Sequence, residues 1–213
     1  MKLKLGYSDE EELLPLLPLI NDNKFELVKI REDEIKFKLD ELHLIYFPLP
    51  LLTMLEGIKV ISNGAYIIND LGIKLLTSTQ KENIKICIKN TNTTEYYLLK
   101  LLTKYNFIIK PNQNECDAIL QKKDYDLSLT QLWSKECTQL PLVSKLLGSK
   151  ILSQEDLTKI KVLVRESASL QENEGKITSI SKELGLKGRM AIECFWRLCN
   201  SKGLCGKHRP ILL

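Results

Sequence analysis

The stretch that begins at Asn83 constrains this chain more than any other. Ile84, Ile86 and Ile88 alternate with polar residues, as a half-buried strand does. The hydroxyl-rich turn Thr91-Asn92-Thr93-Thr94 follows, and Tyr97, Leu98, Leu101, Leu102 and Tyr105 then recur at helical spacing. Residues 107–109 read as a second short strand, stopped by Pro111, and residues 117–120 as a third. A strand, a helix and a strand in this order form a βαβ unit, which commits the chain to a partly parallel sheet with a crossover helix. Other extended segments precede it at residues 2–6, 25–30, 35–39, 60–68 and 73–76. A βαβ unit inserted into an earlier set of strands predicts a two-lobed α/β protein, with residues 1–75 and 148–213 in one discontinuous lobe and 76–147 in an inserted second lobe.

The flanking regions complete the outline. Ser8 and Glu11 have the spacing of a capping box, which predicts a helix start just after the first strand. The apolar segment 13–20 that follows is punctuated by Pro15 and Pro18. From Glu155 the pattern is helical, with Ile177, Ile180 and Leu184, then Met190, Ile192, Phe195, Trp196 and Cys199, on apolar faces broken at Gly185 and Gly203.

Composition excludes several classes. With 213 residues, 44% hydrophobic and 27% charged, the chain can bury a core without being a large multidomain machine. A formal net charge of +4, a pI near 8.6 and a mean hydropathy of -0.12 do not force a nucleic-acid or membrane reading. The longest apolar stretch, residues 42–55, carries His43 and is broken by Pro48 and Pro50, so it cannot span a bilayer. The opening has no apolar run before Glu10-Glu11-Glu12, so the expected location is the cytoplasm. In that setting Cys87, Cys116, Cys137, Cys194, Cys199 and Cys205, which contain no Cys-x-x-Cys pair, are expected to be small buried hydrophobes. In a hyperthermophile a disulfide becomes an option even there. Cys199, Cys205 and His208 do not have a standard zinc spacing, and neither a metal nor a cofactor is expected.

Some residues carry chemistry on their own account. The Thr91–Thr94 turn heads a helix, where free backbone N–H groups and the helix dipole favour an anion, so Thr93 and Thr94 read as a carboxylate-binding pair or as a simple N-cap. Lys123, beside Lys122 and Asp124, is either a partly desolvated cleft lysine that pairs with an anion or acts as a base, or an exposed turn residue. The run Glu10–Glu12 suits the first turn of a helix. His43 reads as a packed core histidine, and Trp133 as a packing anchor or a pocket wall. Basic residues gather at the end, with Lys187, Arg189, Arg197, Lys202, Lys207 and Arg209 against Glu193.

Taken in order, short motifs resemble one family across nearly the whole chain: the two-lobed enzymes of the futalosine route to menaquinone, 1,4-dihydroxy-6-naphthoate synthase and its relative chorismate dehydratase. Leu5-Gly6-Tyr7-Ser8 is similar to the synthase's opening. Ser62-Asn63-Gly64-Ala65 with Gly72, Thr93-Thr94 with the Leu98–Leu101 helix, and Asp117-Ala118-Ile119-Leu120 are similar to its later motifs. Trp133 with Thr138-Gln139-Leu140-Pro141 resembles a family Trp…Thr-Gly-Leu-Pro segment. Leu184-Gly185, Gly188, Ala191-Ile192-Glu193, Arg197-Leu198 and Gly203-Leu204 resemble the C-terminal helices of both enzymes. The resemblance implies a type II periplasmic-binding-protein fold with a ligand cleft between lobes, and Ser8, Glu12, Tyr46, Ser62, Gly64, Thr93, Thr94 and Asp124 at ligand-binding positions.

The departures are specific. The family's catalytic histidine falls on Lys123 and the acidic residue after it on Asp124. A substrate-contacting Lys-x-Ser falls on Tyr46 and Pro48, and an asparagine near the N-terminus falls on Glu12. The scaffold with altered catalytic positions implies a binder of a small anionic organic molecule, cytoplasmic and with a homodimer left open. The alternative is a cofactor-free lyase of the same route, with Lys123 or Glu12 as base. A third reading takes residues 177–204 as a helix-turn-helix, placing Lys187 and Arg189 near the start of a DNA-recognition helix.

Overall fold

Strand pairing sorts the chain into two sheets in the computed structural model, which describes residues 2–77, 83–206, 208 and 211–213. The first sheet holds β1 (Leu3–Tyr7), β2 (Phe25–Lys29), β3 (Leu44–Pro48), β4 (Lys59–Ile68), β10 (Leu142–Ser149) and β11 (Ile211–Leu212), in the order β11-β4-β10-β3-β1-β2. The second holds β5 (Gly72–Leu75), β6 (Asn83–Cys87), β7 (Asn106–Lys110), β8 (Ala118–Gln121) and β9 (Leu127–Ser128), in the order β7-β6-β8-β5-β9. Helices α1 (Leu17–Asn21), α2 (Ile35–Lys38), α3 (Thr94–Leu102), α4 (Leu129–Glu136), α5 (Gln154–Asn173), α6 (Ser179–Lys182) and α7 (Gly185–Ser201) accompany them.

The two sheets follow one plan. In the first, β1 lies parallel between β2 and β3, and β10 runs antiparallel between β3 and β4. In the second, β6 lies parallel between β7 and β8, and β5 runs antiparallel between β8 and β9. Each antiparallel strand arrives from the opposite lobe. The crossings therefore fall at residues 69–71 and 137–141, earlier than the expected boundaries at 75/76 and 147/148. Apolar alternation identifies a strand but not the sheet that will hydrogen-bond it, so the pattern alone assigned β5 and most of β10 to the wrong lobe.

The second crossing is pinned and strained. Trp133 on α4 is 1% exposed and its Nε1–H donates to the Leu140 carbonyl at 2.8 Å, so it serves as a packing anchor. Thr138 and Gln139 adopt left-handed φ values of 51° and 60°. Those conformations cost a non-glycine residue about 1 kcal/mol each.

Three other expectations change. Residues 35–39 were expected as a strand but form the single turn α2, because Ile35 and Leu39, four apart, both face the core while Phe37 is 70% exposed. The helix start after β1 lies one residue later than expected. Asp9 is the N-cap of the 3₁₀ turn Glu10–Leu16, and the Glu12 carboxylate accepts the Asp9 N–H at 3.0 Å. The stretch read as a helix-turn-helix consists of the single turn α6 against β4 and the long helix α7. The latter buries Gly188, Ala191, Ile192, Phe195 and Cys199 against β10 of one lobe and α3 of the other, leaving Lys187 and Arg189 exposed. Lys207 and Arg209 of the basic tail lie outside the described residues.

The cysteines are not the separate buried thiols expected from the sequence. They pair as Cys87–Cys116, Cys137–Cys194 and Cys199–Cys205, with Cα separations of 5.7, 5.9 and 5.3 Å. Sequence separations of 29 and 57 residues hid the first two pairs. Cys137–Cys194 joins the second crossing to α7. Opening a loop of 57 residues releases chain entropy that is worth about 4 kcal/mol in the loop-closure model. Cys137→Ser with Cys194→Ser should lower urea-unfolding stability by up to that amount, and the unreduced wild type should show no thiol titratable by a disulfide reagent. Full stability in the double variant would mean that the crossing is held by packing alone.

Candidate functional site

Shifting the helix start by one residue turns Glu12 inward, where it is fully buried. Its carboxylate accepts the Ser8 N–H at 3.2 Å, the Ser8 hydroxyl at 2.7 Å, and the Lys145 ammonium. Lys145, on β10, is 3% exposed and also donates to Ser8 Oγ at 2.6 Å, Asp9 Oδ2 at 3.2 Å and Glu32 Oε1 at 3.2 Å. One ammonium group therefore sits among three carboxylates, Glu32 being 4% exposed. Burial alone would push the Lys145 pKa down, but Glu12, Glu32 and Asp9 outweigh it and hold the group protonated, above its ordinary value. For Glu32 and Asp9 burial pushes upward, and Lys145 overrides it to leave both below the usual carboxylate range.

Polar contacts cross from this cluster to the other lobe. Lys89, after β6, reaches Asp9 at 3.0 Å, and Asn90 donates to Glu32 at 3.1 Å. Lys122, after β8, contacts the Glu11 carboxylate, which also accepts the Tyr66 hydroxyl. Two cavities flank these contacts. The outer one, about 420 Å³, combines Leu14, Pro15, Ile67, Ile68 and Ile177 with Lys122, Lys123, Lys176, Glu11 and Asp70. The inner one, about 200 Å³, is lined by Asp9, Glu32, Lys89, Thr93, Glu95 and Lys145, with Cys87, Ile88 and Leu120.

The expected site residues divide into three groups. Ser8 and Glu12 meet at Lys145. Thr93 borders the inner cavity and Lys123 the outer one. The rest lie elsewhere. Tyr46 is fully buried and donates to the Gly64 carbonyl at 2.7 Å, and Gly64 is held at φ 77°, where a side chain would meet Val164. Ser62 is buried at the junction of β4, α6 and the C-terminal residues, its N–H donating to Leu213 O at 3.0 Å and its carbonyl accepting from Leu184 at 2.8 Å. The Thr94 hydroxyl donates inward to Ser144 O at 2.5 Å. Thr93 caps α3, its oxygen accepting the Tyr96 N–H at 3.2 Å. Asp124 projects into solvent at φ 55° and pairs with Lys74 at 3.5 Å. His43 is half-buried rather than a core residue, its Nδ1 accepting the Lys4 N–H at 3.0 Å beside β1.

Thr93 and Thr94 do not form an open carboxylate clamp. Glu95, next in the helix, is turned back on its own backbone N–H. The free end of α3 therefore already faces a carboxylate of this chain. Burial raises the Glu95 pKa, only partly offset by that N–H and by Lys145.

Sequence reasoning missed Lys145, Glu32, Lys89 and Glu95. Lys145 had a signal, since it is a lone charge inside Leu142-Val143-Ser144-Lys145-Leu146-Leu147, a strand buried along its whole length. A lysine there must find acids. Glu32 sits in the polar segment Arg31–Glu34, which is indistinguishable from a surface loop by composition.

No protein-family model matches the chain, and no curated protein sequence does. Solved structures do. Protein AF1704 from Archaeoglobus fulgidus superposes with a TM-score of 0.81 at 16% identity, over 95% of this chain and 98% of that one. The ligand-binding component of an ABC-type import system from Staphylococcus aureus, with zinc bound, gives 0.62 at 11% identity, over 100% and 94%. The Candida albicans CA3427 gene product, described as having the generic periplasmic-binding-protein fold, gives 0.56 at 14% identity, over 92% and 80%. The chain has a two-lobed α/β fold of the type II periplasmic-binding-protein kind.

Lys145→Met leaves Glu12 and Glu32 buried without their cation and should cost about 3–5 kcal/mol in urea unfolding. A loss under about 1 kcal/mol would show that the cluster contributes little to stability. Acid should act through the same groups. With pKa values held below the ordinary 4.5 of Glu32 and 3.8 of Asp9, their contribution is complete above those values and lost as pH falls through the lowered ones. Glu95 runs the other way and offsets part of the loss. Stability measured against pH should decline below about 4.5, and less steeply in Glu32→Gln.

Proposed function

We propose that the chain binds a small organic acid in the cleft between its lobes. The observation that carries this reading is the outer cavity, walled from both lobes, with an apolar face opposite lysines. Its volume of about 420 Å³ falls within the range of small-molecule sites. Among the described residues Lys123 makes no ion pair, and Lys122 is held by Glu11 in the position that a ligand carboxylate would take. Leu14, Pro15, Ile67, Ile68 and Ile177 offer the body of the ligand a surface that excludes water. The binding-protein fold supports the reading, since a cleft between lobes is the concave place where ligands lodge. Carboxylic acids of the futalosine route are the first ligand class to test, because Ser8 and Thr93, which lie in motifs similar to the family's, and Glu12 and Lys123, which stand at its site positions with other residues, border or support the cleft.

Catalysis by the groups named from the sequence is less well supported than binding. Glu12 is held by Lys145, and Lys123 sits on an exposed turn. The three disulfides favour reading the chain as a protein of an oxidising compartment, or of a hyperthermophile's cytoplasm, which keeps such bonds.

Isothermal titration with chorismate, futalosine-route intermediates and simple aromatic carboxylates tests the proposal. A bound acid at a hundred times its Kd should also stabilise the protein by about 2.7 kcal/mol. Lys123→Ala should weaken such an acid several-fold, on the scale of an exposed charge pair. Glu11→Gln should tighten it by freeing Lys122. Silence across the panel, or an affinity indifferent to both substitutions, would remove the outer cavity as the site.

A further inference from the structure

The inner cavity has a charge balance unlike that of the outer one. Its walls carry Asp9, Glu32 and Glu95 against Lys89 and Lys145, and the buried Glu12 lies directly behind. Neither lysine is free to meet an incoming anion. Lys145 is surrounded by Ser8, Asp9, Glu12 and Glu32, and Lys89 is engaged by Asp9. The Glu32 carboxylate, besides Lys145, accepts from Asn90. Among the described residues, Glu95 alone of the three wall carboxylates has no ion pair and no partner beyond its own backbone N–H. It faces a cavity whose two lysines are already shared among Asp9, Glu32 and the Glu12 behind them.

We propose that this cavity is a subsite for a protonated amine, and that the ligand of the cleft carries an ammonium group at one end and a carboxylate at the other. The proposal rests on the cleft-binding reading above and adds the chemical class of the second end. An anion in the cavity would add to three carboxylates with no free cation to meet it. An apolar group would desolvate Glu95 further without compensation. A divalent ion would find no group of three or more side chains arranged to hold it among the described residues. An ammonium supplies the cation that Glu95 lacks and three donors. The volume of about 200 Å³ admits one end of a ligand and falls short of the range for a whole one.

The two subsites are close enough for one short molecule. Leu120 lines the inner cavity and Lys122 the outer, while Asp9 lines the inner and Glu11 the outer. Two residues at the end of β8 span at most about 7 Å, and two at the start of the 3₁₀ turn span less. A short ω-amino acid covers such a distance with its carboxylate near Lys122 and Lys123 and its amine near Glu95.

Titration calorimetry with 6-aminohexanoate and hexanoate, on the wild type and on Glu95→Gln, decides the matter. The pair differs only in the amine, and the comparison on the wild type needs no variant to fold. The expected result is a Kd for the amino acid about tenfold or more below that of the plain acid in the wild type, the scale of one charge-assisted hydrogen bond. That advantage should vanish in Glu95→Gln, with the hexanoate Kd unchanged. Equal affinities in the wild type, or an advantage that survives the substitution, would overturn the amine subsite while leaving carboxylate binding intact. Failure of every acid, these two and the wider panel alike, would overturn the cleft-binding reading and the amine subsite with it.

Discussion

The Lys145 ammonium, enclosed by Ser8, Asp9, Glu12 and Glu32, ties β10 to the segments that follow β1 and β2, strands with which β10 does not itself pair. Lys145 comes from β10, Glu12 from the turn after β1, and Glu32 from the loop after β2. Burying one cation with several acids is expensive in desolvation, and the arrangement survives because each charge keeps several polar partners. Its consequence is positional. The cluster fixes Asp9 and Glu32 at the face of the first lobe, and from there Lys89 and Asn90 of the second lobe are reached.

The cleft built on this foundation is divided by charge. Toward its outer end, lysines from the turn after β8 and from the segment before α6 stand over an apolar wall. Toward its inner end, carboxylates outnumber lysines, and the head of α3 already holds Glu95. On the reading proposed above, the two ends would suit an anion and a cation respectively, a division that net charge alone would hide. Cys87 borders the inner cavity, so the Cys87–Cys116 disulfide also steadies one of its walls.

Much of the architecture was legible in sequence because it depends on local periodicity. The alternation at Ile84, Ile86 and Ile88, the helical spacing from Tyr97, and the capping threonine at Thr93 all mark elements that the structure contains. Where partners are distant the sequence was silent or misleading. Ile35 and Leu39 fit a strand by alternation and a helix by tertiary burial, and burial decided. Ser62 and Gly64 lie in a motif similar to the family's and Tyr46 stands at one of its site positions, yet in this structure all three are buried in the core. Glu12 matched a position beside the cleft, but its inward aim follows from a one-residue shift in a cap. Glu32 and Glu95 gave no sign, because a buried acid and an exposed one look the same until their neighbours are known.

The exchange of antiparallel strands between the two sheets has a consequence for how this molecule can be divided. β5 completes the second sheet but is reached from the first, and β10 does the reverse, entering between β3 and β4. A fragment ending before β10 would leave β3 and β4 with bare edges and a row of unmatched backbone groups. Excising the middle segment would strip β8 and β9 of the strand between them, unless β5 went with it. The lobes are thus separate in shape but joint in construction, and the chain is expected to gain or lose its order as a single cooperative unit.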